Sequence, residues 1–187
     1  MASWSNFASA APSLADSINK AFYQYGPGLA YLATIRPDGG PRVHPISPAV
    51  LEGGLYCVML DTPKRRDLDR DGRYAMHAFP AEDDDDEACI QGRARLVADT
   101  EIRDRAAREL RVADGMVWWL YELSVDSAMF AHRDGASPSA EPAGERALTS
   151  GPTGGRALTS GPAVMAYQFW VDPDLTRSFR SRPRMRR

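Results

Sequence analysis

The chain has 187 residues, of which 43% are apolar and 26% charged, a balance that suits one globular domain with a full hydrophobic core. No apolar run reaches the ~20 residues of a membrane span, and the first residues lack the basic start and apolar stretch of a secretory leader, so a cytoplasmic protein with no membrane partner is expected. A formal net charge of −2 argues against nucleic acid as a partner.

A helix is expected over 13–25, with Ser13 as its cap and Leu14, Ile18, Ala21, Phe22 and Tyr25 on one face. Gly26-Pro27-Gly28 ends it. Residues 29–36 read as a buried strand with Leu29, Tyr31, Ala33 and Ile35 on one face, followed by the turn Pro37-Asp38-Gly39-Gly40. The returning arm, 41–50, contains Pro45 and Pro48, which cannot donate ladder hydrogen bonds, so it must bulge or leave an edge open.

Residues 55–60 read as a fully buried third strand, delivering the chain to a short helix with Thr62 as cap, Pro63 at the first helical position and Leu68 facing inward. Strands follow at 73–79 and 88–98. The acidic run 82–87 between them lacks the spaced ligands of a calcium loop and reads as a solvated hairpin tip. Cys57 and Cys89, each in an apolar run without metal-ligand spacing, read as buried free thiols.

Asp99-Thr100 opens another helix, with Ile102, Ala106 and Leu110 on one face. Residues 117–132 read as a strand that bends after Trp118-Trp119 and alternates at Tyr121, Leu123 and Val125; 164–171 is the last strand. The stretch 134–162 is rich in Gly, Pro, Ser, Ala and Thr, and its segment 146–152 recurs at 156–162. It reads as a flexible low-complexity insertion, and 177–187 as a basic tail. The order of elements predicts a mainly β fold, a small antiparallel barrel with peripheral helices, in a single domain 1–187.

One segment breaks local rules. Lys64, Arg65 and Arg66 crowd the first turn of a helix, where cations oppose the macrodipole, at a cost of about 0.3–1 kcal/mol each in an isolated helix. A bound phosphate would explain them, since helix starts present unpaired N–H groups to anions. A solvated turn balanced by Asp61, Asp67 and Asp69 explains this segment by itself equally well.

Ala33-Thr34-Ile35-Arg36-Pro37-Asp38-Gly39-Gly40-Pro41-Arg42-Val43-His44-Pro45, then Thr62-Pro63-Lys64-Arg65-Arg66-Asp67-Leu68-Asp69-Arg70-Asp71-Gly72-Arg73, with Gly92-Arg93-Ala94 beyond, resemble the pyridoxamine 5′-phosphate oxidase-like split-barrel family, within the flavin/deazaflavin oxidoreductases. The resemblance implies a split β-barrel of Greek-key-like antiparallel strands that binds FMN. It sets Arg42, Val43, His44, Pro45 and Ile46 along the flavin ring and ribityl chain, and Thr62, Lys64 and Arg66 on the phosphate. Arg65 is expected to turn to solvent and His77 to flank the site. His44 and His77 also read as packed histidines, and His132 has no visible partner.

The resemblance further implies a homodimer with cofactor sites at its interface, Trp170 packing on the ring and Arg177 attracting a small-molecule substrate. Between those two residues the chain departs from the oxidase pattern, and the substrate-binding segment of the oxidases is missing. The expected activity is therefore FMN-dependent oxidoreduction by hydride transfer through flavin N5, not pyridoxamine phosphate oxidation. No side chain is singled out for proton transfer. A deazaflavin-dependent reductase and a non-catalytic flavin- or haem-binding module are the alternatives on the same barrel.

Overall fold

The computed structural model describes residues 1–80, 86–134 and 164–175. The repeat-bearing insertion, Arg177, the basic tail and most of the acidic run lie outside the described residues. In chain order the elements are α1 (Trp4–Ala10), α2 (Pro12–Tyr23), β1 (Ala30–Ile35), β2 (Pro41–Ile46), β3 (Pro48–Leu51), β4 (Gly54–Met59), α3 (Pro63–Arg70), β5 (Arg73–Ala78), β6 (Glu87–Leu96), α4 (Thr100–Glu109), β7 (Trp119–Leu123), β8 (Ser127–Asp134) and β9 (Val164–Val171).

Seven strands pair antiparallel in the order β2-β1-β5-β6-β7-β4-β3, and the chain itself closes this path where Ser47 joins β2 to β3. That is a split barrel. The hairpin β8–β9 leaves the ring by pairing with the first half of β6, so β2-β1-β5-β6-β8-β9 also forms one broad sheet. Strand β6 serves both sheets because Gly92 permits a close approach: a Cβ there would lie 1.8 Å from the Ser124 carbonyl oxygen. The link between β7 and β8 can then donate from Ser124 and Asp126 N–H to the carbonyls of Arg93 and Gln91, at 2.9 and 2.8 Å.

Leu32, Met76, Ile90, Tyr121, Leu123 and Val125 fill the barrel, and α1 and α2 cover its end with Phe7, Ile18 and Phe22. Burying such side chains stabilises a fold by about 1.5–3 kcal/mol each. Cys57 and Cys89 are free thiols.

Four local expectations need correction. Helix α1 precedes the expected helix: Ser3 caps it by accepting from the Asn6 N–H at 3.2 Å, and Trp4 and Phe7 anchor it. Helix α2 consequently starts at Pro12, and Ser13 is not its cap. The arm 41–50 is two strands, broken at Ser47, where the chain passes from one sheet to the other. In β1 the buried face is Ala30, Leu32 and Thr34, leaving Tyr31, Ala33 and Ile35 on the outside. The bend expected after Trp118-Trp119 lies at Ser124–Asp126, where Gly92 receives the chain.

Candidate functional site

Strand β2 is an edge strand, hydrogen-bonded to β1 on one side, and Pro41 and Pro45 contribute no N–H to either side. The Pro45 carbonyl accepts from Lys64 Nζ at 2.8 Å, so the open edge of β2 faces the start of α3. Alternation divides the strand. Arg42, His44 and Ile46 turn toward the barrel and are half-buried or buried, whereas Val43 and Pro45 are exposed on the outer face.

The α3 end of this seam carries a concentration of charge. Thr62 is in the cap position, but its hydroxyl donates to the Leu60 carbonyl at 3.3 Å instead of capping the helix, and no acid occupies the first turn. Lys64 meets no carboxylate among the described residues, and burial pulls its ammonium below the ordinary lysine range. Arg66 is 63% exposed and reaches Asp61 at 3.1 Å.

Arg65, expected in solvent, is held against the protein instead, its side chain 17% exposed. Asp61 and Asp69 hold it at 3.1 and 2.5 Å, and its guanidinium lies 4.2 Å over the Trp119 ring. The ion pairs brace the helix start, and the Trp119 contact ties it to the barrel. The Arg66 and Arg65 guanidinia hold Asp61 below the usual carboxylate range.

Sequence reasoning missed the centre of the seam. Asp67 is 2% exposed. It accepts from Arg42 Nε at 2.7 Å, from the Thr34 hydroxyl at 3.0 Å and from Arg70 at 3.3 Å, linking β2, β1 and α3. Arg70 also donates to the Ile35 carbonyl. Burial by itself would raise the Asp67 carboxyl, but the hydrogen bonds from Arg42, Thr34 and Arg70 outweigh it and hold the group below the usual range. Arg42, Lys64, Arg65, Arg66 and Arg70 face Asp61, Asp67 and Asp69, a surplus of two positive charges along one seam.

The broad sheet presents a second feature, its outer face. Cross-strand register sets Pro45, Tyr31, His77, Cys89, Met129 and Phe169 in one row across six strands. A parallel row holds Val43, Ala33, Ala75, Gln91, Ser127 and Val171 by the same pairing. Tyr31 stacks on Phe79 and Tyr167 on Phe169, with ring centroids 4.1 and 6.0 Å apart. Val43 and Phe169, at the two ends, are 58% and 59% exposed. His77 Nδ1 lies 2.6 Å from the Ala78 carbonyl, which can only accept, so Nδ1 carries the hydrogen and a neutral ring leaves Nε2 as an acceptor.

The structure brings Arg42, Pro45, Thr62, Lys64 and Arg66 to one seam, with His44 and Ile46 on the inner side of β2, and it puts Val43, Pro45 and His77 on the outer face. Trp170 belongs to neither group. It packs on Phe7, 5.0 Å between centroids, against the core, and the aromatic side chains that β9 turns outward are Tyr167 and Phe169. Strands β2 and β9 border opposite edges of the broad sheet, four strands apart, so one chain does not bring them together. His132, which showed no partner in the sequence, is hydrogen-bonded to Asp86. A surface groove of about 450 Å³, lined by Trp4, Asn19, Tyr23 and Val50, lies between α1, α2 and β3 and includes none of the expected site residues.

No family model and no curated protein matches the chain. Solved structures do match its fold. General stress protein 26 from Bacillus anthracis aligns with a TM-score of 0.50 at 16% identity over 62% of this chain and 91% of its own. A provisionally assigned pyridoxamine 5′-phosphate oxidase from Listeria innocua aligns with a TM-score of 0.50 at 16% identity, over 60% of this chain and 94% of its own. A NimC/NimA family protein from Clostridium acetobutylicum gives a TM-score of 0.50 at 18% identity, over 66% and 89%. The chain thus has the split-barrel fold of the pyridoxamine 5′-phosphate oxidase-like proteins.

Proposed function

We propose that the chain binds FMN as a homodimer and acts as a flavin-dependent oxidoreductase on a small-molecule substrate. The observation that carries this reading is the surplus of two positive charges at the β2–α3 seam, which matches a phosphate monoester carrying about −1.5 to −2 at neutral pH. Lys64 would exchange the neutral Pro45 carbonyl for a charged oxygen, a bond about twice as strong. The backbone N–H groups of Lys64 and Arg65, in the first turn of an uncapped helix, add donors at the same place. When bound, FMN supplies hydride transfer at its N5 atom. Val43, Pro45 and His77 would then flank the ring on the outer face, His77 offering Nε2 as an acceptor.

The homodimer reading rests on that same face. The six-strand face exposes Tyr31, Val43, Phe169 and Val171, and apolar side chains gathered on one face mark an interaction surface. A second copy laid on it would bring the Phe169 end of one chain to the Val43 end of the other and shield the reaction from water.

The test is an absorption spectrum and an FMN titration of the purified protein, repeated with riboflavin, with sedimentation for the oligomeric state. FMN should bind at least about tenfold more tightly than riboflavin, the contribution of one charged hydrogen bond, and the protein should sediment as a dimer. A monomer that takes up neither flavin would overturn the reading. A deazaflavin with a long acidic tail would instead bind with an affinity that falls steeply with salt.

A further inference from the structure

Arg42 spends only part of its guanidinium on the fold. Its Nε is held by Asp67 Oδ2 at 2.7 Å, while its two terminal nitrogens make no hydrogen bond among the described residues, and the side chain is 26% exposed. Asp67 is in turn fixed from two further directions, by Thr34 on β1 and by Arg70 one turn along α3. A guanidinium is planar, so a partner that takes Nε and lies in that plane also decides where the other N–H groups point. Asp67 sits on the helix that carries Lys64, and Arg42 on the strand whose Pro45 carbonyl Lys64 holds. The carboxylate therefore sets the arginine on the strand relative to the lysine on the helix.

We infer that Asp67 is a positioning residue of the anion site: it orients Arg42 so that the terminal nitrogens of that arginine and Lys64 Nζ converge on one phosphoryl group. This rests on the reading of the seam as the FMN phosphate site, and it deepens that reading in one respect. A cation count explains attraction, which any arrangement of lysines would supply. A buried carboxylate holding one arginine by Nε explains recognition, because a planar fork accepts a phosphate in one orientation. Asp67 lowers the local charge by one and so weakens bare attraction; its presence at the centre of an anion site makes sense as a device for direction.

The experiment is a double-mutant cycle on FMN and riboflavin affinity with Asp67→Asn, Arg42→Lys and the double variant, accompanied by thermal melts. Asp67→Asn keeps the shape of the side chain and removes the charge that holds Nε. Arg42→Lys keeps the cation and removes the fork. Each single variant should lose FMN affinity about tenfold or more and keep riboflavin affinity within about twofold, and the second substitution should add little to the first because both break one device. Equal losses for the two flavins, following the fall in melting temperature, would mean that Asp67 merely supports the fold and would overturn the proposal. So would additive losses.

Failure of the underlying reading looks different: the parent protein itself would show no preference for FMN over riboflavin. In that event the Arg42 Nε–H resonance decides the remaining step. Slow exchange with water in the parent and fast exchange in Asp67→Asn supports the Asp67 restraint, and fast exchange in both overturns it.

Discussion

Helices α3 and α4 have similar lengths, and both begin where a strand ends, but their first turns are built on opposite principles. At α4 the Asp99 carboxylate accepts from the Glu101 and Ile102 N–H groups at 2.9 and 3.1 Å, Glu101 adds an acid to the first turn, and Arg108 places a cation in the last. Each choice favours the macrodipole and satisfies orphan donors. At α3 the cap hydroxyl turns back to Leu60, the first turn has no acid, and three cations gather there. One helix start is arranged for its own stability, and the other leaves donors open and concentrates positive charge. Only the second arrangement favours a bound anion.

Removing Lys64 tests the contrast most severely. Lys64→Ala should cost about 1.5–3 kcal/mol of FMN binding, roughly 10- to 150-fold in affinity, the value of a charged hydrogen bond. The melting temperature of the free protein should stay unchanged or rise, because burial already works against this ammonium. Titration calorimetry with a parallel melt checks both. A large fall in melting temperature with little change in affinity would make α3 an ordinary structural helix.

A second effect concerns acid. Asp67 has a folded-state value below its unfolded one, so it contributes stability above the ordinary carboxylate range near ~3.9 and loses it as pH falls through the lower folded value. Urea unfolding should find Asp67→Asn less stable than the parent by about 1–3 kcal/mol at pH 7, and the gap should narrow as the pH is taken below ~3.9. A gap that stays constant with pH would separate Asp67 from the charge network at the start of α3.

Much of this contrast was legible in the sequence. Thr62-Pro63 and Asp99-Thr100 announce helix starts through residue type, and the misplaced cations stand out because they oppose a local rule. Arg65 was misread: its ion pairs follow the four-residue spacing to Asp61 and Asp69 at which helical neighbours meet, but its place against Trp119 on β7, and not in solvent, is set by the barrel.

Asp67 shows where local reading stops. Its burial arises from Thr34 and Arg42, which lie 33 and 25 residues away on two strands, and no pattern within α3 reveals them. The outer face was obscured for a related reason. Strand β1 is apolar on both sides, so alternation could not say which side faces the core, and a strand expected to be buried turns Tyr31, Ala33 and Ile35 outside. The break at Ser47 depends on how the barrel closes, which neither Pro45 nor Pro48 encodes.

On the α4 side, Asp99→Ala should lower stability by about 1 kcal/mol through the lost cap and leave FMN affinity unchanged, as thermal melts and titration would report. A change in FMN binding would mean that the two helix starts are not independent.

The smallest expected effect comes from making α3 resemble α4. Thr62→Asp gives the helix a cap that can accept from its first-turn N–H groups, and the added charge favours the dipole, so the free protein should gain about 0.5–1 kcal/mol. The same carboxylate would occupy the donors that a phosphate uses and repel its charge, so FMN affinity should fall while riboflavin affinity holds. Stability and binding then move in opposite directions from one substitution, an outcome that a solvated basic turn does not produce. If stability rose and FMN affinity did not fall, the first turn of α3 would not be where the phosphate binds.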